Sequence, residues 1–251
     1  KTKAIMMAHI YGLPVDIDPV LKLAKKYNLQ IIEDAAEMIG QNYKGKPCGS
    51  FGNLSTFSFY PNKHITTGEG GMVVTDDKYL AEKCKSLRNL CFQNEKRFVH
   101  QNIGWNYRMT NLQAALGLAQ LEQLDKFVKR KREMGNLYNQ YLGDINKIQI
   151  PKIKTAYADN IYWVYGIVLK NECSMNAIDV MRKLAKSGIG TRPFFYPLHL
   201  QPVLNKFGLY KEESLIVSEN LYIKGFYLPS GLSLTSDQIK IISKIFYKII
   251  S

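Results

Sequence analysis

Residues 4–36 read AIMMAHIYGLPVDIDPVLKLAKKYNLQIIEDAA. AIMMAHIY (4–11) is an apolar run of the kind that a strand buried on both faces carries. DIDPVLKLAKKYNL then repeats its apolar residues at helical spacing. Asp18 suits the N-cap and Pro19 the first helical position. QIIEDAA (30–36) is a second strand. Strand, helix and strand joined by short connections form a βαβ unit, which predicts a parallel sheet.

Working outward, LSTFSFY (54–60) and GMVVT (71–75) read as further strands, and DKYLAEKCKSLRNL (77–90) as a helix. TNLQ supplies a capping box from Thr110 to Gln113. Leu112, Ala115, Leu116, Ala119, Leu124, Phe127 and Val128 then recur at helical spacing, and the pattern runs through Tyr138 to Leu142. One long helix linking two domains is expected there, with the domains at 1–128 and 129–251. In the second half, NIYWVYGIVL (160–169) reads as a strand, and NAIDVMRKLAKSG as a helix ending at Gly188. TRPFFYPLHLQP is a proline-broken aromatic loop. The C-terminal TSDQIKIISKIFYKII sets Ile239, Ile242, Phe246 and Ile249 on one face and Lys240, Lys244 and Lys248 on another. A helix packed on a small domain is the reading of that stripe. The expected class is α/β.

The 251 residues are 46% hydrophobic, enough for a full core and against disorder. No apolar run reaches membrane-spanning length, and no signal peptide is visible, so a cytoplasmic protein is expected. Cys48, Cys84, Cys91 and Cys173 form no C-x-x-C pair and no metal-ligand spacing, which reads as reduced thiols. The net charge of +13 is spread over helix faces without a long basic run. It fits a solvated surface that also attracts phosphate-bearing molecules. Without a helix-turn-helix, a zinc pattern or a basic aromatic stripe, nucleic acid is not the expected partner.

Asp34 ends the second strand, and ligands of open α/β sheets sit beyond the carboxyl ends of strands. Capping of a following helix is the alternative role. Glu37 can reach the same crevice or face solvent. Lys63 follows a strand on a Pro61-Asn62 turn, with Ser58 before it and Gly68, Gly70 and Gly71 behind. An aspartate and a lysine at strand ends of one α/β domain are what pyridoxal phosphate (PLP) chemistry needs. The carboxylate keeps the pyridine nitrogen protonated, and the amine forms a Schiff base and moves a proton. Asn106 and Arg108 precede the long helix as loop residues or as phosphate and substrate contacts. His9 and His199 are isolated and form no metal set.

HIYGLPVDIDPVLKLAKKYNLQIIEDAAEMIG, GSFGNLSTFSFYPNKHITTGEGGMVVT, GWNYRMTNLQAALGLAQLEQLD and TRPFFYPLHLQP, in this order, closely resemble the DegT/DnrJ/EryC1/StrS sugar aminotransferases. The resemblance implies a fold-type I PLP-dependent transferase, with a mixed, mostly parallel sheet flanked by helices and a small C-terminal α+β domain. Residues 1–128 would be the C-terminal part of the large PLP-binding domain. By resemblance, Lys63 is the Schiff-base lysine and Asp34 pairs with the pyridine nitrogen. Glu37 stands near the ring face and its phenolic oxygen, Ser58 binds the cofactor phosphate, and Asn106 reaches the phosphate in a partner subunit, implying a homodimer. His9, Tyr11, Arg108, Arg192, Tyr196 and His199 would lie near the nucleotide sugar. Relatives with histidine in place of Lys63 are dehydratases working with the amine form of the cofactor (PMP), so lysine favours transamination.

The wording DAAE and NKHITTGEGGMVV most resembles perosamine-synthase-type members. These move the amino group of L-glutamate, released as 2-oxoglutarate, to a nucleotide-linked 4-keto-6-deoxy sugar for polysaccharide or antibiotic-sugar biosynthesis. A 3-aminotransferase of the same family, and an inactive PLP-binding or regulatory fragment, are the alternatives. Family members carry a further N-terminal stretch that supplies a phosphate cup and an aromatic ring over the cofactor.

Overall fold

A computed structural model describes residues 1–210 and 213–251. The chain divides into two compact units: residues 1–129 with 154–163, and residues 130–153 with 164–251.

In the first unit, β1 (Ala4–Ala8), α1 (Ile17–Tyr27) and β2 (Gln30–Asp34) form the expected βαβ unit. The sheet continues through β5 (Leu54–Ser58) to β6 (Gly71–Val74), while β3 (Asn42–Tyr43) and β4 (Lys46–Pro47) form a small separate ladder. β1, β2 and β5 run parallel, and β6 returns antiparallel to β5. The register aligns Ala8 with Asp34 and Asp34 with Thr56. The residues after β1, β2 and β5 therefore emerge along one edge of the sheet. Met7, Ile17, Ala24, Ile31, Ala35 and Met38 form the core between α1 and the sheet.

Helix α1 starts earlier than the sequence suggests. Its N-cap is Asp16, not Asp18, because Tyr43 takes over the capping. The tyrosine oxygen accepts the Asp18 N–H at 3.1 Å, and its O–H donates to Asp16 at 2.7 Å. Asp18 instead pairs with Lys44 at the surface. Asn28 ends the helix in the left-handed region that asparagine tolerates.

After α2 (Lys78–Arg88), the expected single long helix is two: α3 (Asn111–Leu121) and α4 (Leu124–Leu142). The capping box from Thr110 to Gln113 forms as read. At the break, the Gln123 N–H reaches the Gln120 carbonyl, three residues back, a 3₁₀ tightening. The face of α3 also differs from expectation. Gln120 donates to the Thr66 carbonyl and accepts the Thr66 N–H, and Gln113 donates to the Glu69 carbonyl. Gly117 lies so close to Thr67 that a Cβ there would stand 2.9 Å from its methyl. Serving the backbone of the 66–69 loop turns the polar face of α3 inward. Leu112 is left 86% exposed, with Leu116 and Leu118 also at the surface.

The second unit holds an antiparallel sheet in the order β7 (Ile148–Gln149), β8 (Tyr165–Leu169), β10 (Gly225–Leu228), β9 (Arg192–Pro193). Its helices are α5 (Ala177–Lys186), α6 (Pro202–Lys206), α7 (Ile216–Lys224) and α8 (Ser236–Ile250), with a 3₁₀ turn at Leu198–Leu200. TRPFFYPLHLQP is thus not all loop: Phe226 and Tyr227 of β10 recruit Pro193 and Arg192 as an edge strand. Ile239, Ile242, Phe246 and Ile250 of α8 are buried, and Phe226 meets Phe246 edge to face.

Residues 160–163 are not strand, contrary to expectation. The Asn160 side chain accepts the Tyr162 N–H, Tyr162 takes φ 48°, and the segment packs in the first unit before β8 begins. Among the described residues, no helix is long and apolar enough to cross a membrane.

Candidate active site

Three ionisable side chains converge where β1 and β2 end and the β5–β6 connection turns: Asp34, Glu37 and Lys63. Asp34 Oδ1 accepts the Ala36 N–H at 3.0 Å and the Thr56 hydroxyl at 3.4 Å. Its Oδ2 takes no hydrogen bond from the described residues, so the carboxylate is held by one oxygen and free at the other.

Glu37 is 6% exposed, and its Oε2 accepts the Tyr11 N–H at 2.6 Å. Burial pushes its carboxyl up to about 7. The Tyr11 amide and the Lys63 charge oppose that rise, and the Asp34 charge adds to it. Tyr11 presents its amide from a left-handed backbone, φ 59°, just before Gly12 at φ 100°. Such a conformation costs about 1–3 kcal/mol for a non-glycine residue and is characteristic of functional loops.

Lys63 is half-buried on a turn closed by its own N–H to the Tyr60 carbonyl at 3.0 Å. Burial moves its ammonium below the ordinary lysine range, while Glu37 and Asp34 favour the charged form. An amine so placed loses its proton more readily than a surface lysine, as a nucleophile and base must. Its Nζ stands 4.0 Å from the ring centroid of Trp163.

The other residues singled out in the sequence are spread over both units. Ser58 closes β5 opposite Gly71, its hydroxyl accepting the Tyr60 N–H at 3.3 Å. Asn106 and Arg108 lie exposed between α2 and α3, bonded to each other at 2.9 Å. Arg192 belongs to β9 of the second unit, on a cavity of about 390 Å³ also lined by Thr191, Tyr227 and Ser230. Tyr196 packs edge to face on Tyr222. His199 is 3% exposed, with Nε2 2.9 Å from Glu219.

Sequence spacing suggested no metal set, yet the fold brings ligand atoms of His9, Glu33 and Cys48 within 4.8 Å of one another. Their bonds are already committed. His9 Nδ1 accepts the Val15 N–H, which leaves the proton on Nε2 to donate to Glu33 at 3.0 Å. Glu33 also accepts the amides of Gly49, Phe51 and Gly52 and the Ser55 hydroxyl. Burial opposes its charge, but the bonds from His9, Gly49 and Phe51 prevail and hold the carboxyl below its usual value. Burial, with the Glu33 charge, pushes the Cys48 thiol up to about 12. The cluster knits the loop after β4 to β2, directly behind Asp34.

Glu33 escaped notice as a functional support, although a charged residue inside an apolar strand is a signal for a buried polar network. Trp163 gave none, because its partner is 100 residues away.

The free carboxylate oxygen, the half-buried amine and the near-neutral carboxyl match the donor set that a protonated pyridine bearing an aldehyde and a phenolic oxygen requires. The chain is 43% identical over 239 residues to the GDP-perosamine synthase of Escherichia coli O157:H7, covering 95% of this chain and 63% of that protein. It is 36% identical over 237 residues to EpsN of Bacillus subtilis, provisionally named a pyridoxal phosphate-dependent aminotransferase, covering 94% and 60%. The chain thus spans somewhat under two thirds of these relatives. Helicobacter pylori PseC, an aminotransferase of pseudoaminic acid biosynthesis, superposes with a TM-score of 0.91 at 28% identity, covering 99% of this chain and 67% of that one. The architecture is that of the fold-type I PLP-dependent transferases. The family model matches residues 1–246, and the chain belongs to the DegT/DnrJ/EryC1/StrS aminotransferase family.

Proposed function

We propose that this chain is the catalytic portion of a PLP-dependent aminotransferase that carries the amino group of L-glutamate to a nucleotide-linked 4-keto-6-deoxy sugar, as a perosamine synthase does. The observation that carries the reading is the convergence of Lys63, Asp34 and Glu37 beyond the parallel strands. When bound, PLP supplies an aldehyde and an electron-accepting ring. Asp34 Oδ2 holds the ring-nitrogen proton. Lys63 would supply the amine that reacts with the aldehyde and, as a free amine, would take and return the substrate proton. Glu37, protonated near neutral pH, offers a hydrogen bond to the phenolic oxygen. Ser58 binds the cofactor phosphate.

In this reading, residues 1–128 are the C-terminal part of the large cofactor domain, and residues 129–251 hold the rest of α4 as the linking helix and the small domain. Asn106 serves the phosphate of a partner subunit, and the exposed leucines of α3 support a homodimer. His9, Tyr11, Arg108, Arg192, Tyr196 and His199 belong to the sugar side of the site. Of these, His9 and His199 have their rings held by Glu33 and Glu219. The working compartment is the cytoplasm.

The test is the visible absorption of purified chain with PLP, followed by borohydride reduction and peptide mapping, wild type against Lys63→Ala. A Schiff-base band absent from the variant, with reduced cofactor on Lys63, is expected. A folded wild-type chain that fixes no cofactor on Lys63 overturns the reading.

A further inference from the structure

Both neighbours of Lys63 are tied to one distant segment. The Trp163 indole N–H donates to the Asn62 carbonyl at 2.9 Å, and the His64 ring lies 3.4 Å from the Ile161 carbonyl. Between those two anchors, the Lys63 ammonium stands 4.0 Å from the Trp163 ring centroid, well inside cation–π range. Trp163 is 3% exposed, so the contact is poorly screened by water. Tyr11, whose amide holds Glu37, stacks on the same indole at 6.0 Å and 25°.

The segment is firmly placed. The Ile161 N–H bonds to the Gly12 carbonyl, and the Gln41 side chain bonds to the carbonyls of Gly12 and Asp159. Gly12 approaches so closely that a Cβ there would lie 2.8 Å from the Trp163 backbone nitrogen.

We propose that Trp163 is the positioning residue of Lys63, parking the free ammonium on its ring and fixing the lysine turn through its indole N–H. The proposal deepens the reading of Lys63 as the reacting amine and rests on it. A lysine that alternates between covalent and free forms needs a defined place for the free form, or it wanders from the proton it must move. The indole provides that place without a hydrogen-bond acceptor that would compete for the amine. The ionisable groups facing Lys63 are Asp34 and Glu37, with the Tyr11 phenol on the neighbouring loop; the two carboxylates and the indole face all favour the ammonium.

The test needs no cofactor. The apo chain is labelled with trinitrobenzenesulfonate from about pH 6 to pH 10, and modification of Lys63 is followed by peptide mass analysis in wild type, Trp163→Phe and Trp163→Leu. Trp163→Leu is expected to make Lys63 about two- to thirtyfold easier to deprotonate, lowering the labelling midpoint by about 0.4–1.5 in pH. Trp163→Phe keeps a ring and most of the midpoint, but labels faster at every pH because the Asn62 anchor is gone. An unmoved midpoint in a folded Trp163→Leu chain overturns the proposal.

A second measurement leaves Trp163 in place. The sequence has two tryptophans, so Trp105→Phe isolates Trp163 emission. An emission step with pH that vanishes on adding Lys63→Met is expected, and identical profiles overturn the proposal. PLP capture with borohydride is run in parallel. A shifted midpoint without capture keeps the Trp163–Lys63 contact and sinks the cofactor reading. Capture with an unmoved midpoint sinks only the Trp163 proposal.

Discussion

Glu37→Gln separates the electrostatic cost of the site from its packing. The carboxyl titrates at about 7 in the folded chain against an ordinary 4.5, a gap of 2.5 that corresponds to about 3 kcal/mol. The sign follows from proton binding. Below pH 4.5 both folded and unfolded chains hold the proton, and burial exacts nothing for charge. Between 4.5 and 7 the folded chain binds more protons than the unfolded one, so wild-type stability falls as pH rises. Above 7 the full cost of a buried anion is present. Glutamine is nearly isosteric, accepts the Tyr11 N–H through its carbonyl and never ionises, so its stability lacks this slope. Urea unfolding of apo wild type and Glu37→Gln from about pH 4.5 to pH 8 should show the variant gaining on the wild type by about 3 kcal/mol across the range; a weaker bond to Tyr11 lowers the variant by about 1 kcal/mol at every pH without changing that gain. Removing the anion also removes one of the two charges that keep Lys63 protonated, so Lys63 should label faster at neutral pH. Parallel stability profiles for the two proteins would refute the reasoning.

Lys131→Met tests the opposite sign: burial holds the Lys131 ammonium down at about 8, so wild-type stability should rise by about 3 kcal/mol between pH 8 and 10.5, and the Met variant, which also gives up the bond to the Ser230 carbonyl, should stay flat in denaturant titrations. Gly12→Ala forces a Cβ to 2.6 Å from Asn160 Oδ1 at φ 100°, which should cost on the order of 3 kcal/mol in urea midpoint and raise Lys63 labelling by releasing the Trp163 anchor. Glu33→Gln puts an amide N–H₂ against loop amides that now donate to a carboxylate, and thermal melts should show a loss on the order of 3 kcal/mol; a loss below about 1 kcal/mol would mean the network is replaceable.

The placement of Asp34 and Lys63 at strand ends was legible because it is local. Asp34 and Lys63 each follow a strand whose period marks it as buried, and a parallel βαβ unit places strand ends on one edge. The capping box at Thr110 was equally local, since the donor and acceptor lie three residues apart. Misreadings arose where a distant group changed the balance. Tyr43 moved the start of α1 to Asp16 by supplying the acceptor itself. The 66–69 loop turned α3 over: unpaired backbone groups there needed Gln113 and Gln120, and that need outweighed burial of the leucines. Asn160–Trp163, strand-like in composition, was drawn out of extended pairing by Gly12 and Gln41.

What the sequence by itself determined is therefore the βαβ unit, the class of fold and the residues that stand at the strand ends. The tertiary structure decided the environment of those residues: the burial that brings Glu37 to about 7, the anchoring of Glu33 behind Asp34, and the indole over Lys63. Periodicity and capping depend on neighbours a few residues apart, which a sequence displays. Dielectric, charge and ring contacts depend on distances through space, which arise only once the chain has folded.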